Sequence, residues 1–244
     1  MIVVLYLFIG MLVGYFIGNI NFARIFSWAF AKKDITTVGS KNPGTMNMLR
    51  TRGFGEAFLT LIMEAIKSGV PALASYFLIG HFFEGWGDLA YYMTAFGVIL
   101  GHCFPVFYKF RGGKGIACTV GMFLFNPDCW WFSLVIFVIC FVLSLFIDYM
   151  FVISLTFAST LTIYACCVYG IQQRFLFLFL ILILVVNIIF VFIKHRTNFQ
   201  RLFNGTENKV HIIDKLKKKK TENKENDEIS EEKVESNEVS TDEE

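Results

Sequence analysis

Charge is scarce over most of this 244-residue chain: of its 22 Lys plus Arg and 20 Asp plus Glu, more than half lie from Lys194 onward. The residues before that point belong to a chain that is 55% hydrophobic with 29 Phe, which excludes an ordinary water-soluble domain. The formal net charge of +2 therefore averages a membrane body, a basic stretch and an acidic tail. Period-two alternation is also missing from the apolar runs, which excludes a membrane β-barrel. Cys103, Cys118, Cys129, Cys140, Cys166 and Cys167 lack metal-type spacing and read as small buried hydrophobes, so neither a metal site nor a disulfide scaffold is expected. The N-terminus lacks a positive leading region and a clear small-residue cleavage site, so a retained first span is expected rather than a signal peptide.

What is present is a series of apolar runs near the length a helix needs to cross a bilayer, about 20 residues. They are Ile2 to Trp28, Ala57 to Phe82, Leu89 to Phe107, Ile116 to Phe125, Trp130 to Phe146, Tyr149 to Tyr169 and Phe175 to Ile193. The expected fold is all-α: an integral membrane protein with about seven transmembrane helices over residues 1–208, then a charged, disordered tail over 209–244. The fourth run is short and predicts a tilted or partly buried helix. Basic residues cluster at Lys32 to Arg52, at Lys109 to Lys114 and from Lys194 on. The intervening connections hold one positive residue, Arg174. The positive-inside rule then places the N-terminus outside and the three basic segments in the cytoplasm.

Those same three segments concentrate the polar groups. The first, Gly39-Ser-Lys-Asn-Pro-Gly-Thr-Met-Asn-Met-Leu-Arg50, can aim backbone amides and an arginine fork at a phosphate, although Ser, Asn and Gly are also ordinary turn residues. In the second, from Gly101 to Gly115, the Gly112-Gly113-Lys114-Gly115 turn leads into an apolar helix whose first amides, with Lys114, suit an anion. The Walker A spacing is absent, so no nucleotide is inferred. His102 reads equally as a site residue or a membrane-interface residue. In the third, His195, Asn198 and Arg201 share about 120° of a continued helix. Arg196 fits a hydrated helix end better. Glu64 and Lys67, three apart, are read as a pair near the site, and Arg24 as a side chain snorkelling to the interface.

At these residues the chain resembles the bacterial acyl-phosphate-dependent glycerol-3-phosphate acyltransferases, the PlsY family. Its Gly101-His-Cys-Phe-Pro-Val-Phe-Tyr-Lys-Phe-Arg-Gly-Gly-Lys-Gly-Ile-Ala is similar to the family pattern Gly-His-x-Phe-Pro-x-Phe-x-x-Phe-Lys-Gly-Gly-Lys-Gly-Val-Ala. The block from His195 to Glu207 resembles His-x-x-Asn-x-x-Arg-Leu-x-x-Gly-x-Glu. The first block departs more: the family's Gly-Ser-Gly-Asn-x-Gly-Ala-Thr-Asn stands here with Lys41, Thr45 and Met46, its Asp-x-Arg appears as Asp34-Ile-Thr36, and its Asp-x-x-Lys-Gly appears as Glu64-Ala-Ile-Lys67-Ser68.

The resemblance implies acyl transfer from acyl phosphate to the 1-position of glycerol 3-phosphate, giving 1-acyl-glycerol 3-phosphate and phosphate in phospholipid synthesis at the bacterial plasma membrane. It implies no cofactor or metal, and no nucleic-acid partner; membrane lipids and the two substrates are the expected partners. It assigns Ser40, Arg50, Lys114, His195 and Asn198 to catalysis. Gly39, Asn42, Gly44, Asn47, His102, Gly112, Gly113, Gly115, Arg201 and Glu207 are assigned to substrate binding. Two other classes compete with this reading. A transporter or sensor of a phosphate-containing anion would place its polar site nearer mid-membrane, and a His-x-x-x-x-Asp acyltransferase would need an Asp five residues after a His, which His81, His102, His195 and His211 all lack.

Overall fold

A computed structural model describes residues 2–172 and 176–209. Arg174 and all of the charged tail beyond Lys209 lie outside the described residues, and with them the expectation of a disordered tail. Among the described residues every regular element is a helix and there is no strand. The helices are α1 (Ile2–Gly18), α2 (Phe22–Ala31), α3 (Thr45–Thr51), α4 (Phe54–Phe82), α5 (Gly87–Cys103), α6 (Ile116–Leu124), α7 (Trp130–Phe146), α8 (Met150–Ile171), α9 (Phe177–Lys194) and α10 (Arg196–Phe203). Five segments among the described residues are long and apolar enough to cross a membrane: Ile2–Ala31, Phe54–Phe82, Gly87–Tyr108, Met150–Ile171 and Phe177–Lys194. At 17 residues, α7 reaches the lower end of spanning length, whereas the nine residues of α6 do not. Phe77, Leu78, Phe82, Ile163, Leu178 and Phe179 lie exposed on these helices, as side chains facing lipid do.

Helix α5 forms the centre, with Tyr91, Tyr92, Val98 and Ile99 fully buried. Its tightest neighbour is α1, and small residues explain why. Gly14 and Gly18 of α1, four apart, face the backbone of Thr94 and Val98, while Gly97 and Gly101 of α5 face Met11 and Tyr15. A Cβ at Gly97 or Gly101 would strike a backbone carbonyl oxygen. This reciprocal small-x-x-x-small contact brings two backbones together where hydrophobicity alone gives no preference for a protein neighbour over lipid.

The first apolar run, read from sequence as one continuous span, is broken at Asn19–Asn21, and its second half is α2. The break is stabilised from α4. Lys67 Nζ donates to the carbonyls of Gly18 (3.2 Å) and Ile20 (2.5 Å) at the end of α1, and Glu64 Oε1 accepts from the Phe22 amide (2.9 Å) at the start of α2. Asn21 caps α2 by accepting from the Arg24 amide at 2.9 Å. The backbone groups freed by the break are therefore bonded by a cation at a helix C-terminus and an anion at an N-terminus, the favourable signs for the helix dipole.

At the far end of the bundle α6 stops early, and Asn126 makes this possible. Its amide donates to the hydroxyls of Tyr92 (3.2 Å) and Tyr169 (3.3 Å), and its Oδ1 accepts from the amides of Asp128 and Cys129, both at 3.0 Å. Tyr91 OH donates to the Met122 carbonyl at 2.8 Å. The turn after α6 is thus hydrogen-bonded inside protein, as backbone at membrane depth must be.

Candidate active site

The three polar segments predicted from sequence converge at one end of the bundle. In the first, Asn47 is almost fully buried and its amide is spent on the loop itself: Oδ1 accepts from the Ser40 amide (2.9 Å), and Nδ2 donates to the carbonyls of Ile35 (2.9 Å) and Val38 (3.0 Å). Gly39, at φ 57°, presses against the same side chain, where a Cβ would meet Asn47 Oδ1. Asn47 therefore holds Ser40 in position. The Pro43 carbonyl accepts from Asn21 Nδ2 at 3.1 Å, which ties this loop to the break between α1 and α2.

The second segment folds back on the end of α5. The Gly113 amide donates to the His102 carbonyl at 3.1 Å, and a Cβ on Gly113 would collide with the His102 ring. Gly115 takes φ 87° at the start of α6. The first amides of α6 have no carbonyl a turn earlier to bond, so the Gly112–Gly115 turn ends at a locally positive helix terminus. Behind it, His102 Nδ1 lies 3.0 Å from Glu64 Oε2 and 3.3 Å from Lys67 Nζ, and Cys118 Sγ donates to the same carboxylate at 3.6 Å. Glu64, His102 and Cys118 bring donor atoms within 4.8 Å of one another, a spacing a small metal ion could use. Lys67 already pairs with that Glu64 oxygen, so an ammonium supplies the positive charge. The expected pairing of Glu64 with Lys67 is present. Removing one member of so buried a pair costs about 3–5 kcal/mol.

In the third segment Gly205, at φ 68°, turns the chain so that Glu207 reaches back to α10, accepting from Asn198 Nδ2 at 2.7 Å and Arg201 Nε at 3.0 Å. Asn198 Oδ1 in turn accepts from Lys114 Nζ, which joins the third segment to the second. Arg50 donates to the Asn208 carbonyl at 3.3 Å, which joins the first to the third. His195 Nδ1 lies 2.8 Å from the Val191 carbonyl. A carbonyl only accepts, so Nδ1 carries the proton and Nε2 keeps its lone pair.

Burial shapes the charges. It pulls the Lys114 ammonium down to about 8, with Arg201 adding to the shift and Glu207 opposing it. It pulls the His195 imidazole down to about 4, against the Val191 hydrogen bond, so this ring is neutral near pH 7. The Arg50 guanidinium is lowered by burial too, with Glu207 opposing.

Ser40, Arg50, Lys114, His195 and Asn198 all line one cavity of about 850 Å³. Asn42, Gly44, Asn47, His102, Gly112, Gly115, Arg201 and Glu207 line it as well, whereas Gly39 and Gly113 do not and act from behind. Two features escaped the sequence. Phe137, Phe141 and Ser144 of α7 and Phe151, Ser154 and Phe157 of α8 give the cavity an apolar arm, from stretches that carry no polar motif. Arg24, read as a snorkelling side chain, instead donates to Asp34 at 2.7 Å and lines the cavity.

Comparison with known proteins gives the family of the chain. The model of a family described as glycerol-3-phosphate acyltransferase matches residues 8–205. The chain belongs to the glycerol-3-phosphate acyltransferase family. Relatives in it include an Enterococcus faecalis protein named glycerol-3-phosphate acyltransferase, 34% identical over 213 residues that cover 86% of this chain and 95% of that one. An Anaplasma marginale protein of the same name is 33% identical over 198 residues, 80% of this chain and 91% of that one. The fold is that of a crystal structure of PlsY, an integral membrane glycerol 3-phosphate acyltransferase, in its glycerol 3-phosphate form: TM-score 0.71, 23% identity, 86% of this chain and 98% of that one. The lysophosphatidic acid form of PlsY superposes with a TM-score of 0.66 at 24% identity, over 83% and 94% of the two chains.

Proposed function

We propose that this protein transfers a fatty acyl group from acyl phosphate to the 1-hydroxyl of glycerol 3-phosphate, releasing 1-acyl-glycerol 3-phosphate and phosphate on the cytoplasmic side of the bacterial plasma membrane. The observation that carries the reading is that one cavity joins a cationic end, with Arg50, Lys114 and the Gly112–Gly115 turn, to an apolar arm between α7 and α8. The first suits phosphate and the second an acyl chain, and a phosphorylated acyl donor carries both.

In this reaction the 1-hydroxyl oxygen attacks the acyl carbonyl carbon, and the tetrahedral oxyanion collapses by breaking the bond to the phosphate oxygen, which leaves with the electron pair. Lys114 and Arg50 stabilise the charge that develops on the carbonyl and phosphate oxygens. Ser40 and Asn198 orient oxygens. Neutral His195 accepts a hydrogen bond at Nε2 and orients the attacking hydroxyl. An imidazole held near 4 is a weak base, whereas a phosphate monoester takes its second proton near about 6. The hydroxyl proton therefore passes to phosphate. Acyl phosphate already carries a good leaving group, and no acyl-serine is required.

The transporter alternative has less support, because the end of the bundle opposite the cavity is filled by buried Tyr92, Asn126 and Tyr169. The test is turnover of purified, reconstituted protein with acyl phosphate or acyl-CoA as donor. Acyl phosphate is expected to yield 1-acyl-glycerol 3-phosphate and acyl-CoA not to; equal rates would overturn the donor assignment.

A further inference from the structure

The first polar segment poses a question of charge. Where the family pattern has Asp-x-Arg, this chain has Asp34-Ile-Thr36, and threonine supplies no cation. Lys41 is the nearest sequence substitute, but it is exposed, with φ 59°, at the position the family pattern gives to glycine. Arg24 stands differently. Its Nη1 donates to Asp34 Oδ2 at 2.7 Å, and the other oxygen of that carboxylate accepts from the Thr36 amide at 2.9 Å. One carboxylate thus bridges Arg24 to the residue that lacks the cation. The guanidinium also lies 4.4 Å over the Tyr108 ring of the second segment. Arg24 and Thr36 line the same cavity.

We infer that Arg24, reaching in from α2, binds the phosphate of glycerol 3-phosphate in place of an arginine at position 36. Three observations converge on it. A guanidinium has five N–H donors and Asp34 takes one, while Nε is buried with no protein acceptor. Asp34 and Tyr108 fix the fork, so little freedom is lost when an anion binds. Arg24 also belongs to the side of the cavity built by α2 and the first segment, whereas the apolar arm is built by α7 and α8. The acceptor, which has no acyl chain, fits the former.

This inference rests on the reaction proposed above, and the test separates the two. KM for glycerol 3-phosphate, KM for acyl phosphate and kcat are measured for wild type, Arg24→Gln, Arg24→Lys and the double variant Arg24→Gln/Thr36→Arg. Loss of one charge-assisted phosphate contact is expected to raise KM for glycerol 3-phosphate about tenfold in Arg24→Gln, with kcat and the donor KM within about threefold of wild type. Arg24→Lys is expected to fall between, since it keeps the charge without the fork. Restoration of KM by Thr36→Arg is the decisive result, because a purely structural strap between Arg24 and Asp34 would not be replaced from position 36 by a cation aimed at substrate. If Arg24→Gln does not fold, Arg24→Lys and Arg24→Lys/Thr36→Arg carry the same comparison. An unchanged acceptor KM, a rise confined to the donor KM, or a fall in kcat alone overturns the inference. Absence of wild-type turnover overturns the underlying reaction instead.

Discussion

Replacing Lys114 by Met tests the site most directly. The side chain is half-buried in the Gly112–Gly115 turn, its ammonium donates to Asn198 Oδ1, and Asn198 is in turn held by Glu207. Substitution removes a preorganised donor whose loss costs about 3–4 kcal/mol of transition-state stabilisation, or 10²–10³ in rate. It also leaves Asn198 Oδ1 without its partner, a loss of about 1–3 kcal/mol of stability for a buried acceptor. The comparison is Lys109→Gln. Lys109 lines the same cavity but is exposed, and its ammonium is expected to contribute only general attraction, worth tenfold or less, about 1.4 kcal/mol. The assay is single-turnover acyl transfer at saturating substrates, with variants matched for membrane content and assayed well below their melting temperatures. Equal and modest losses in the two variants would refute the reasoning, since the loop would then supply only a positive field.

Because burial lowers Lys114 to about 8, its charged form is lost as pH rises through that value; kcat/KM, which reports the free enzyme, is expected to fall above about pH 8, and Lys114→Arg to move the fall upward if it retains activity. A pH profile checks this, and an unshifted alkaline limb would assign the fall to another group. Gly97→Val, which drives a side chain into the Met11 carbonyl, is expected to cost well over 1 kcal/mol and to lower the melting temperature in detergent, whereas Gly170→Ala, with open space around it, should not. For orientation, single-cysteine variants at Lys41 and Arg111, both exposed, are expected to resist impermeant thiol reagents in intact cells and to label once the membrane is opened; strong labelling of intact cells would reverse the proposed topology.

The course of the chain was legible wherever one segment contains its own reason. Continuous apolar runs made helices, and glycines beside basic residues marked loops that do line one cavity. Convergence itself was legible only through alternation, since segments separated by even numbers of spans fall on one side. The break at Asn19–Asn21 was not legible, because nothing in an apolar run reveals that Glu64 and Lys67, more than forty residues later, bond the backbone it frees. Arg24 was misread for the same reason: its partner Asp34 and its ring neighbour Tyr108 are supplied by the fold. The apolar arm on α7 and α8 was hidden among residues that facing lipid would explain equally well.

The shortness of α6 bears on how the protein depends on the bilayer around it. Nine residues at 1.5 Å each reach only about 13.5 Å, less than half of a hydrocarbon layer about 30 Å thick. The Gly112–Gly115 turn begins this half-length helix, and the Asn126 knot fixes its other end to α5 and α8. The height of the Gly112–Gly115 turn is therefore measured from within the protein and does not adjust when the lipid thickens. In a thicker leaflet the mouth of the cavity would sink relative to the headgroups, leaving a donor anchored by its tail well placed and a water-borne acceptor farther from entry. Hydrophobic mismatch would thus act unequally on the two substrates, raising the apparent KM for glycerol 3-phosphate with lipid chain length before it changes that for the donor.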